Sequence, residues 1–210
     1  MPHLSAISLS EAAHACSVGR VVAFPTGTSY GLAADAMQGF ALQRVRNLKK
    51  RPLEKSFTIF MDPSLWDQYL VLQSWQRTWL ERLTEKPATV LVKPKAALAH
   101  LAQAGLVGVR IIDHPVMLDL ARTTLLPLTA TSANISNEPA CLSPACVQEQ
   151  FRQEVADHTY DLSLAGYLDA GVLPASLPST IIRPYRRGYK IVREGALPAQ
   201  FLDTVKLGIN

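Results

Sequence analysis

The stretch Val21–Leu32, which reads VVAFPTGTSYGL, decides how the rest of the chain can be organised. It begins with an apolar run of β-forming residues, and such a run predicts a buried strand. Pro25 ends that strand because proline cannot donate a hydrogen bond to a neighbouring strand. The hydroxyl and glycine residues of Thr26–Gly31 then predict a loop at the strand's end, where ligands bind in open α/β sheets. The same residue types also favour an ordinary turn, so this stretch alone leaves both interpretations open.

The composition indicates one globular domain over residues 1–210, with enough apolar residues for a sizeable core. Hydrophobic residues make up 48% of the chain and charged residues 18%, which argues against long disordered tails. The formal net charge is +4 and the isoelectric point is near 9.1. A mildly basic chain suits an anionic ligand such as a nucleotide or RNA.

Predicted helices and strands alternate along most of the chain, which is typical of an α/β layer. Apolar periodicity, capping residues and prolines predict helices at 12–18, 40–50, 65–83 (one or two), 98–103, 116–124, 143–151 and 199–205. Apolar β-forming runs predict further strands at 56–61, 88–92, 107–112, 128–131, 180–183 and 189–193. Because the last third resembles hairpins, we expect a single α/β domain with a twisted mixed β-sheet flanked by helices. Trp66, Trp75 and Trp79 are expected to pack in the core and not to stack on bases.

The cysteines and the hydropathy pattern indicate a cytoplasmic protein. Cys16, Cys141 and Cys146 have no regular spacing, so all three are expected to be ordinary thiols in a reducing compartment. The N-terminus lacks the basic and apolar regions of a secretion signal, and no window has the length of a membrane span. No His, Cys and carboxylate cluster has metal-ligand spacing, so no metal held by dedicated protein ligands is expected.

Two polar pairs and one cation mark positions where a ligand could bind. Lys49 and Arg51 follow a predicted helix, where they either complement the helix dipole or clamp a phosphate. Ser132 and Asn134 follow a predicted strand and would point to the same side, although an Asn/Ser turn is the alternative. Arg110 lies inside an apolar strand, where a charge is costly unless it is paired or faces a cavity. We favour a cavity-lining cation that meets a carboxylate over a structural ion pair.

Several familiar patterns are missing from the sequence. The glycines form neither a GxxxxGK[ST] loop nor a GxGxxG loop, so ATP would not be held by a P-loop. No Ser/His/Asp order indicates a nucleophile. His114, in the Asp-His-Pro segment at 113–115, is interpreted as structural.

Seven segments resemble those of the YrdC-like family, the threonylcarbamoyl-AMP synthases, and they occur in the family's order along nearly the whole chain. They are FPTGTSYGL at 24–32, KKRP at 49–52, VGVR at 107–110, DHP at 113–115, TSANIS at 131–136, PST at 178–180 and IVREG at 191–195. Each segment alone is a weak signal, and the set together is highly specific.

The resemblance implies a short, single-domain nucleotidyltransferase whose sheet surrounds a basic cavity. The implied reaction joins L-threonine, bicarbonate and ATP into threonylcarbamoyl-AMP and pyrophosphate, with Mg²⁺ accompanying ATP. The implied partners are separate transferase proteins, which pass the threonylcarbamoyl group to adenosine in certain tRNAs. Direct contact with tRNA is a further possibility that the resemblance raises.

The resemblance also implies roles for individual residues. Catalytic and ATP-contacting roles fall on the Lys-x-Arg and Ser-x-Asn pairs, which are Lys49, Arg51, Ser132 and Asn134. Further ATP contacts fall on Thr89 and Arg193, and threonine contacts on Thr28, Tyr30, Arg110 and Ser179.

The chain departs from the family pattern at a few positions that bear on substrate geometry. The family usually has an acidic residue at Gly27, proline at Ser56 and Ile112, and Gly-Pro at 87–88. Two alternatives to the enzyme remain at this point. One is a non-enzymatic paralogue that binds tRNA or double-stranded RNA, and the other is a regulatory domain that binds a small molecule without turnover.

Overall fold

The computed structural model describes residues 4–151 and 164–207. The α-helices are α1 Leu9–Ser17, α2 Gly39–Lys49, α3 Trp66–Tyr69, α4 Ser74–Arg82, α5 Pro115–Thr124, α6 Pro144–Gln150 and α7 Ala199–Leu207. The strands are β1 Val21–Pro25, β2 Tyr30–Ala33, β3 Thr58–Phe60, β4 Leu70–Val71, β5 Ala88–Pro94, β6 Val107–Arg110, β7 Leu128–Thr129, β8 Thr131–Ser132, β9 Leu164–Tyr167, β10 Thr180–Tyr185 and β11 Gly188–Arg193.

The strands form two mixed sheets, which confirms the predicted α/β class with mixed strand directions. One sheet has the order β8-β2-β1-β9, with β1 antiparallel to β2 and parallel to β9. The other has the order β11-β10-β5-β6-β3-β7, and β4 pairs with β5. The predicted strand at 128–131 is divided between the sheets, because the backbone N–H of Ala130 donates to Thr58 and the chain then crosses to β2.

The loop after β1 is shorter than predicted, because β2 already begins at Tyr30 and pairs antiparallel with β1. The hydroxyl of Thr26 closes the turn by accepting from the backbone N–H groups of Thr28 and Ser29, each at 3.2 Å. It also donates to the carbonyl of Ser29 at 2.7 Å. The hydroxyl residues of this stretch therefore do form a turn.

Other elements differ from the prediction in detail. The region 65–83 forms two helices, α3 and α4, separated by the short strand β4. The helix predicted at 98–103 is a 3₁₀ helix over Ala96–Leu101. Strand β9 was missed because Leu-Ala-Gly-Tyr has no apolar run, and its strand conformation depends on parallel pairing with β1.

One hydrophobic core is shared by both sheets. It contains Val21 and Leu32 from the first sheet and Val90 and Val109 from the second. Trp79 is 1% exposed within it, in agreement with the prediction that the tryptophans serve packing. A smaller cluster packs α1 and α5 against the other face of β1.

The cysteine prediction is wrong for two of the three residues. Cys141 and Cys146 form a disulfide, with their Cα atoms 5.3 Å apart. The reason is local folding: the Ser143 hydroxyl caps α6 by accepting from the N–H of Cys146, and this first turn brings Cys146 back towards Cys141. Cys16 is a free thiol as predicted, and its burial raises its pKa to about 12. In the described parts of the chain, no helix combines the length and apolarity needed to cross a membrane.

Candidate active site

A cavity of about 480 Å³, here called the main cavity, opens between the two sheets. Its lining combines hydroxyl groups, three guanidinium groups and small apolar residues. The lining residues are Thr26, Thr28, Ser29, Gly31, Arg51, Thr58, Thr89, Arg110, Ala130, Thr131, Ser132, Ala140, Leu142, Ala175, Ser176, Pro178, Ser179 and Arg193. The cavity is therefore basic, as the resemblance implied, and none of these described lining residues is a carboxylate.

Arg110 is the most deeply buried cation of the main cavity, with 5% of its side chain exposed. Its Nη2 donates to Asp113 Oδ2 at 2.5 Å and lies 3.5 Å from the Thr28 hydroxyl. Its Nη1 is buried and has no hydrogen-bond partner among the described residues. Burial lowers the pKa of Arg110, and the Asp113 carboxylate acts against that shift. Arg110 is thus both a member of an ion pair and a cavity-lining cation whose Nη1 has no partner in the described structure.

Arg51 reaches the main cavity because of how α2 ends. Lys50 adopts a left-handed conformation with φ +48°, which ends the helix and turns the chain. The guanidinium of Arg51 then lies 5.3 Å from the ring centre of Phe57 and donates to the Ser56 carbonyl at 2.6 Å. Its Nε is buried without a partner in the described structure. Arg51 therefore keeps hydrogen-bonding capacity for an anion.

Lys49 occupies a different environment from Arg51, although only one residue separates them. Its ammonium donates to the carbonyls of Ser132 and Asn134 at 2.5 and 2.7 Å, and to Asn134 Oδ1 at 3.0 Å. These three acceptors use all three of its donors. Burial lowers the pKa of Lys49 to about 7, and the charge of Arg51 adds to that effect. Lys49 is absent from the described lining and lies behind the cavity wall.

Ser132 and Asn134 lie on the same side of the chain, as their spacing predicted, and contact each other. The Ser132 hydroxyl donates to Asn134 Oδ1 at 2.5 Å. The Asn134 amide in turn donates to the carbonyls of Ile135 and Glu138, which closes the loop after β8. Ser132 lines the main cavity, whereas Asn134 supports it from behind. The segment is therefore both the turn and the site component that the sequence left open.

Thr89, Ser179 and Arg193 form a third polar group in the lining. The hydroxyls of Thr89 and Ser179 are 2.9 Å apart. Arg193 Nη2 donates to the carbonyl of Ser179 at 2.6 Å and to its hydroxyl at 3.1 Å. The close approach of the chain at 195 to the backbone at Pro178 requires glycine, because an added Cβ would lie 2.1 Å from the carbonyl oxygen of Pro178.

Tyr30 has no surface in the main cavity. Its ring is fully buried, and its hydroxyl donates to the carbonyl of Gly171 and accepts from the N–H of Ala170. In this structure Tyr30 positions the chain at 170–171. His114 also has a structural role, since its Nδ1 caps α5 by accepting from the N–H of Val116 at 3.2 Å.

The structure thus brings seven of the predicted site residues to one cavity. They are Thr28, Arg51, Thr89, Arg110, Ser132, Ser179 and Arg193. Sequence reasoning missed the lining hydroxyls of Thr58 and Thr131, and also Asp113, which holds Arg110. Asp113 could have been found because it is the one carboxylate within three residues of the buried Arg110.

The donor set of the site suits anions better than a resident metal. Within the described residues, no group of three His, Cys, Asp or Glu side chains could hold a metal ion. Mg²⁺ prefers carboxylates and substrate phosphates, and the described lining offers only neutral oxygens and guanidinium groups. Mg²⁺ would therefore fit here as part of MgATP, held by the phosphates.

Comparison with known proteins yields close relatives. A threonylcarbamoyl-AMP synthase from Stutzerimonas stutzeri is 30% identical over 181 residues, covering 84% of this chain and 96% of that protein. A threonylcarbamoyl-AMP synthase from Bacillus subtilis is 29% identical over 202 residues, covering 94% of this chain and 56% of that protein.

Among solved structures, P. abyssi Sua5 complexed with L-threonine is similar, with a TM-score of 0.81 and 26% identity. The match covers 96% of this chain, which spans 57% of the Sua5 chain. E. coli YciO shares the fold, with a TM-score of 0.74 and 19% identity. The Sua5/YciO/YrdC family model, described as telomere recombination, matches residues 14–195. Because that match covers most of the sequence, the chain belongs to the Sua5/YciO/YrdC family.

Proposed function

We propose that this chain is a threonylcarbamoyl-AMP synthase, which makes threonylcarbamoyl-AMP and pyrophosphate from L-threonine, bicarbonate and ATP. The observation that carries the proposal is the main cavity, where Arg51, Arg110 and Arg193 meet a set of hydroxyls. A triphosphate and a carboxylate both need cations, and guanidinium groups bind both well. Relatives named as synthases support the enzyme and not the RNA-binding alternative.

The amino-acid end of the cavity is assigned to Arg110 and its neighbours. Arg110 lines the cavity, and its guanidinium supplies the charge for a carboxylate. The hydroxyls of Thr28 and Ser179 line the same cavity and can bond the ammonium or hydroxyl of threonine. The neighbour Sua5 was crystallised with L-threonine, which supports threonine as a substrate.

The nucleotide end is assigned to Arg51, Thr89, Ser132 and Arg193. Arg51 and Arg193 supply charge for the phosphates, and the two hydroxyls supply neutral hydrogen bonds. Lys49 is assigned an indirect role, since it holds the Ser132 loop through backbone and amide oxygens. Mg²⁺ enters with ATP and neutralises part of the phosphate charge.

The chemistry needs positioning more than a protein nucleophile. The amine nitrogen of threonine attacks the carbon of bicarbonate, water leaves, and a carbamate is formed. A carbamate oxygen then attacks the α-phosphorus of ATP, the bond to the β-phosphate oxygen breaks, and pyrophosphate leaves. Arginines that hold the phosphates stabilise the charge that develops, as in other phosphate-transfer sites. This reaction makes the protein a nucleotidyltransferase.

The product has a mixed anhydride that separate transferase proteins would consume, moving the threonylcarbamoyl group to tRNA. We propose that the protein works in the cytoplasm, where ATP and tRNA are present. Direct tRNA contact is not needed for the adenylate-forming step.

The experiment is pyrophosphate release with ATP and bicarbonate saturating and one amino acid at a time. We expect threonine to be used best, then serine, then valine. Losing a methyl costs about 1 kcal/mol, whereas stranding a buried partner of the hydroxyl costs about 1–3 kcal/mol. No amino-acid-dependent release would reject the proposal, and valine used as well as serine would withdraw the threonine contacts of Thr28 and Ser179.

A matched pair of variants connects that activity to the main cavity. Arg51→Ala should lower activity by raising the ATP requirement about 10- to 100-fold, because a charge-assisted contact is lost. Arg187→Ala, on the exposed turn between β10 and β11, removes the same charge away from the cavity and should leave activity unchanged. Equal activities of the two variants would show that Arg51 does not contact ATP.

A further inference from the structure

We infer that Asp113 is a positioning residue for substrate recognition, which fixes the Arg110 guanidinium, and that Gly27 is required for this arrangement. The inference rests on the proposed function for the identity of the ligand, an amino-acid carboxylate. The geometry of the pair itself can be tested without that function.

Both carboxylate oxygens of Asp113 accept hydrogen bonds from neighbouring groups. Oδ2 accepts from Arg110 Nη2 at 2.5 Å, and Oδ1 accepts from the backbone N–H of Gly27 at 3.0 Å. The side chain is 2% exposed, and that of Arg110 is 5% exposed. A buried carboxylate held at both oxygens has one orientation, and it imposes that orientation on the guanidinium.

Asp113 acts through Arg110 and not on the ligand directly. It is outside the described lining of the main cavity and instead lines a second cavity of about 360 Å³. Arg110 lines both cavities, so it lies between Asp113 and the main cavity. Nη2 is occupied by Asp113, and Nη1 is buried without a partner in the described structure. Asp113 thereby fixes the direction in which the guanidinium faces the main cavity.

Gly27 makes room for the Asp113 carboxylate. A Cβ at position 27 would lie 2.4 Å from Asp113 Oδ2 and 2.7 Å from its Cγ. Such contacts are shorter than atoms tolerate, and the Asp113 carboxylate is held by two hydrogen bonds and cannot simply rotate away. In this structure a side chain at 27 would therefore displace Asp113, and with it the fixed guanidinium, so relatives with an acidic residue at 27 need another arrangement of this carboxylate. Residues 27 and 113, which are 86 positions apart, form one unit.

The first experiment measures L-threonine and ATP binding separately by calorimetry. Asp113→Asn keeps the size of the side chain and removes its charge, so it should lower threonine affinity about 10- to 100-fold and leave ATP affinity within about twofold. The matched control is Asp119→Asn on the exposed face of α5, which should bind both ligands like wild type. Equal loss of threonine and ATP binding, or loss of neither, would overturn the positioning role.

A double-mutant cycle tests the unit formed by residues 27 and 113. Gly27→Ala should weaken threonine binding about 10-fold in the wild type, because the Cβ displaces Asp113. In the Asp113→Asn background the same change should cost less than about twofold, since the guanidinium is already free. Additive effects would mean that the two residues act independently, which would reject the coupling.

A spectroscopic measurement separates this inference from the proposed function. In protein labelled with ¹⁵N-arginine, the Arg110 Nη groups should give distinct, slowly exchanging signals, identified by their loss in Arg110→Lys. In Asp113→Asn these signals should merge into an average, because the guanidinium is then free to rotate. Chemical denaturation checks that this variant is still folded. If wild type binds no threonine but the signals behave in this way, the proposed function fails and the positioning of Arg110 stands. Signals that are already averaged in wild type would overturn the inference.

Discussion

Two clusters around buried cations each include a residue that lines the main cavity, and they differ in whether all donors of the cation have partners. The Lys49 cluster consists of Lys49, Ser132 and Asn134, and all three ammonium donors are used by oxygens of the loop after β8. The Arg110 cluster consists of Arg110, Asp113 and Thr28, and Nη1 of Arg110 keeps no partner in the described structure. Both cations are at least nine-tenths buried.

The difference shows that a buried cation can either stabilise the structure around it or take part in binding a ligand. A cation whose donors are all satisfied stabilises the loop that supplies the acceptors, and it has nothing left for a substrate. A cation with one donor fixed and another left over is oriented by the protein and completed by a ligand.

Lys49→Met should produce the largest loss of stability. The substitution leaves the buried carbonyls of Ser132 and Asn134 without their donor, and each unsatisfied group costs about 1–3 kcal/mol. We expect the free energy of unfolding to fall by about 2–4 kcal/mol, measured by urea denaturation, together with loss of activity. Lys55→Met, the same change at an exposed position, is the control. If Lys49→Met unfolds like wild type and loses only ATP binding, Lys49 contacts the nucleotide and is not a structural cation.

Arg110→Lys should produce a loss of binding with little loss of stability. Lysine keeps the positive charge beside Asp113 but lacks the planar fork, so it cannot hold one carboxylate while presenting a second donor in a fixed direction. We expect threonine affinity to fall by about 1.5–3 kcal/mol and the free energy of unfolding to change by less than about 1 kcal/mol. Threonine binding is measured by calorimetry, with threonine amide as the ligand that lacks the carboxylate. An unfolding midpoint that drops as far as that of Lys49→Met would show that both clusters are structural.

The pH dependence of stability should come from the Lys49 cluster. Burial lowers the pKa of Lys49 to about 7, so above that pH the unfolded chain binds the proton more readily than the folded one. The free energy of unfolding should therefore rise with pH, by about 1 kcal/mol from about pH 7 to about pH 8. Below about pH 7 the ammonium is charged in both states and this contribution is flat. Denaturation curves of wild type and Lys49→Met across this range give the free energy of unfolding at each pH. If it changes equally with pH in both proteins, the pH dependence comes from a group other than Lys49.

Much of the site was predictable because its residues sit in short local patterns. The apolar run of β1 followed by hydroxyl residues predicted the strand and the ligand-lining turn, and Thr28 does line the main cavity. The charge of Arg110 inside an apolar strand predicted a cavity-lining cation in preference to a structural ion pair, and the structure shows both, since Arg110 lines the main cavity and pairs with Asp113. These inferences need only strand periodicity and the cost of burying a charge, and both are properties of neighbouring residues.

Other features could not be predicted, because they depend on contacts between distant parts of the chain. The divided strand at 128–131 follows from its pairing with β3 on one side and β2 on the other. The Cys141–Cys146 disulfide follows from the way α6 begins, which no spacing rule captures. The partnership of Gly27 with Asp113 requires two loops to meet across 86 positions of sequence.

The α/β class, the order of the family's segments and the residue types that a phosphate and a carboxylate require can all be read from the amino-acid sequence. Which buried cation keeps a nitrogen without a partner depends on the fold. In the sequence, Lys49 begins the basic run 49–51 and Arg110 stands among apolar residues, and neither setting shows how many donors will find a partner. They differ because the acceptors that saturate Lys49 come from residues 83 and 85 positions away, whereas Arg110 meets a carboxylate at one nitrogen. Hydrogen-bond saturation is set by which groups the fold brings within about 3 Å, and local sequence does not encode that distance.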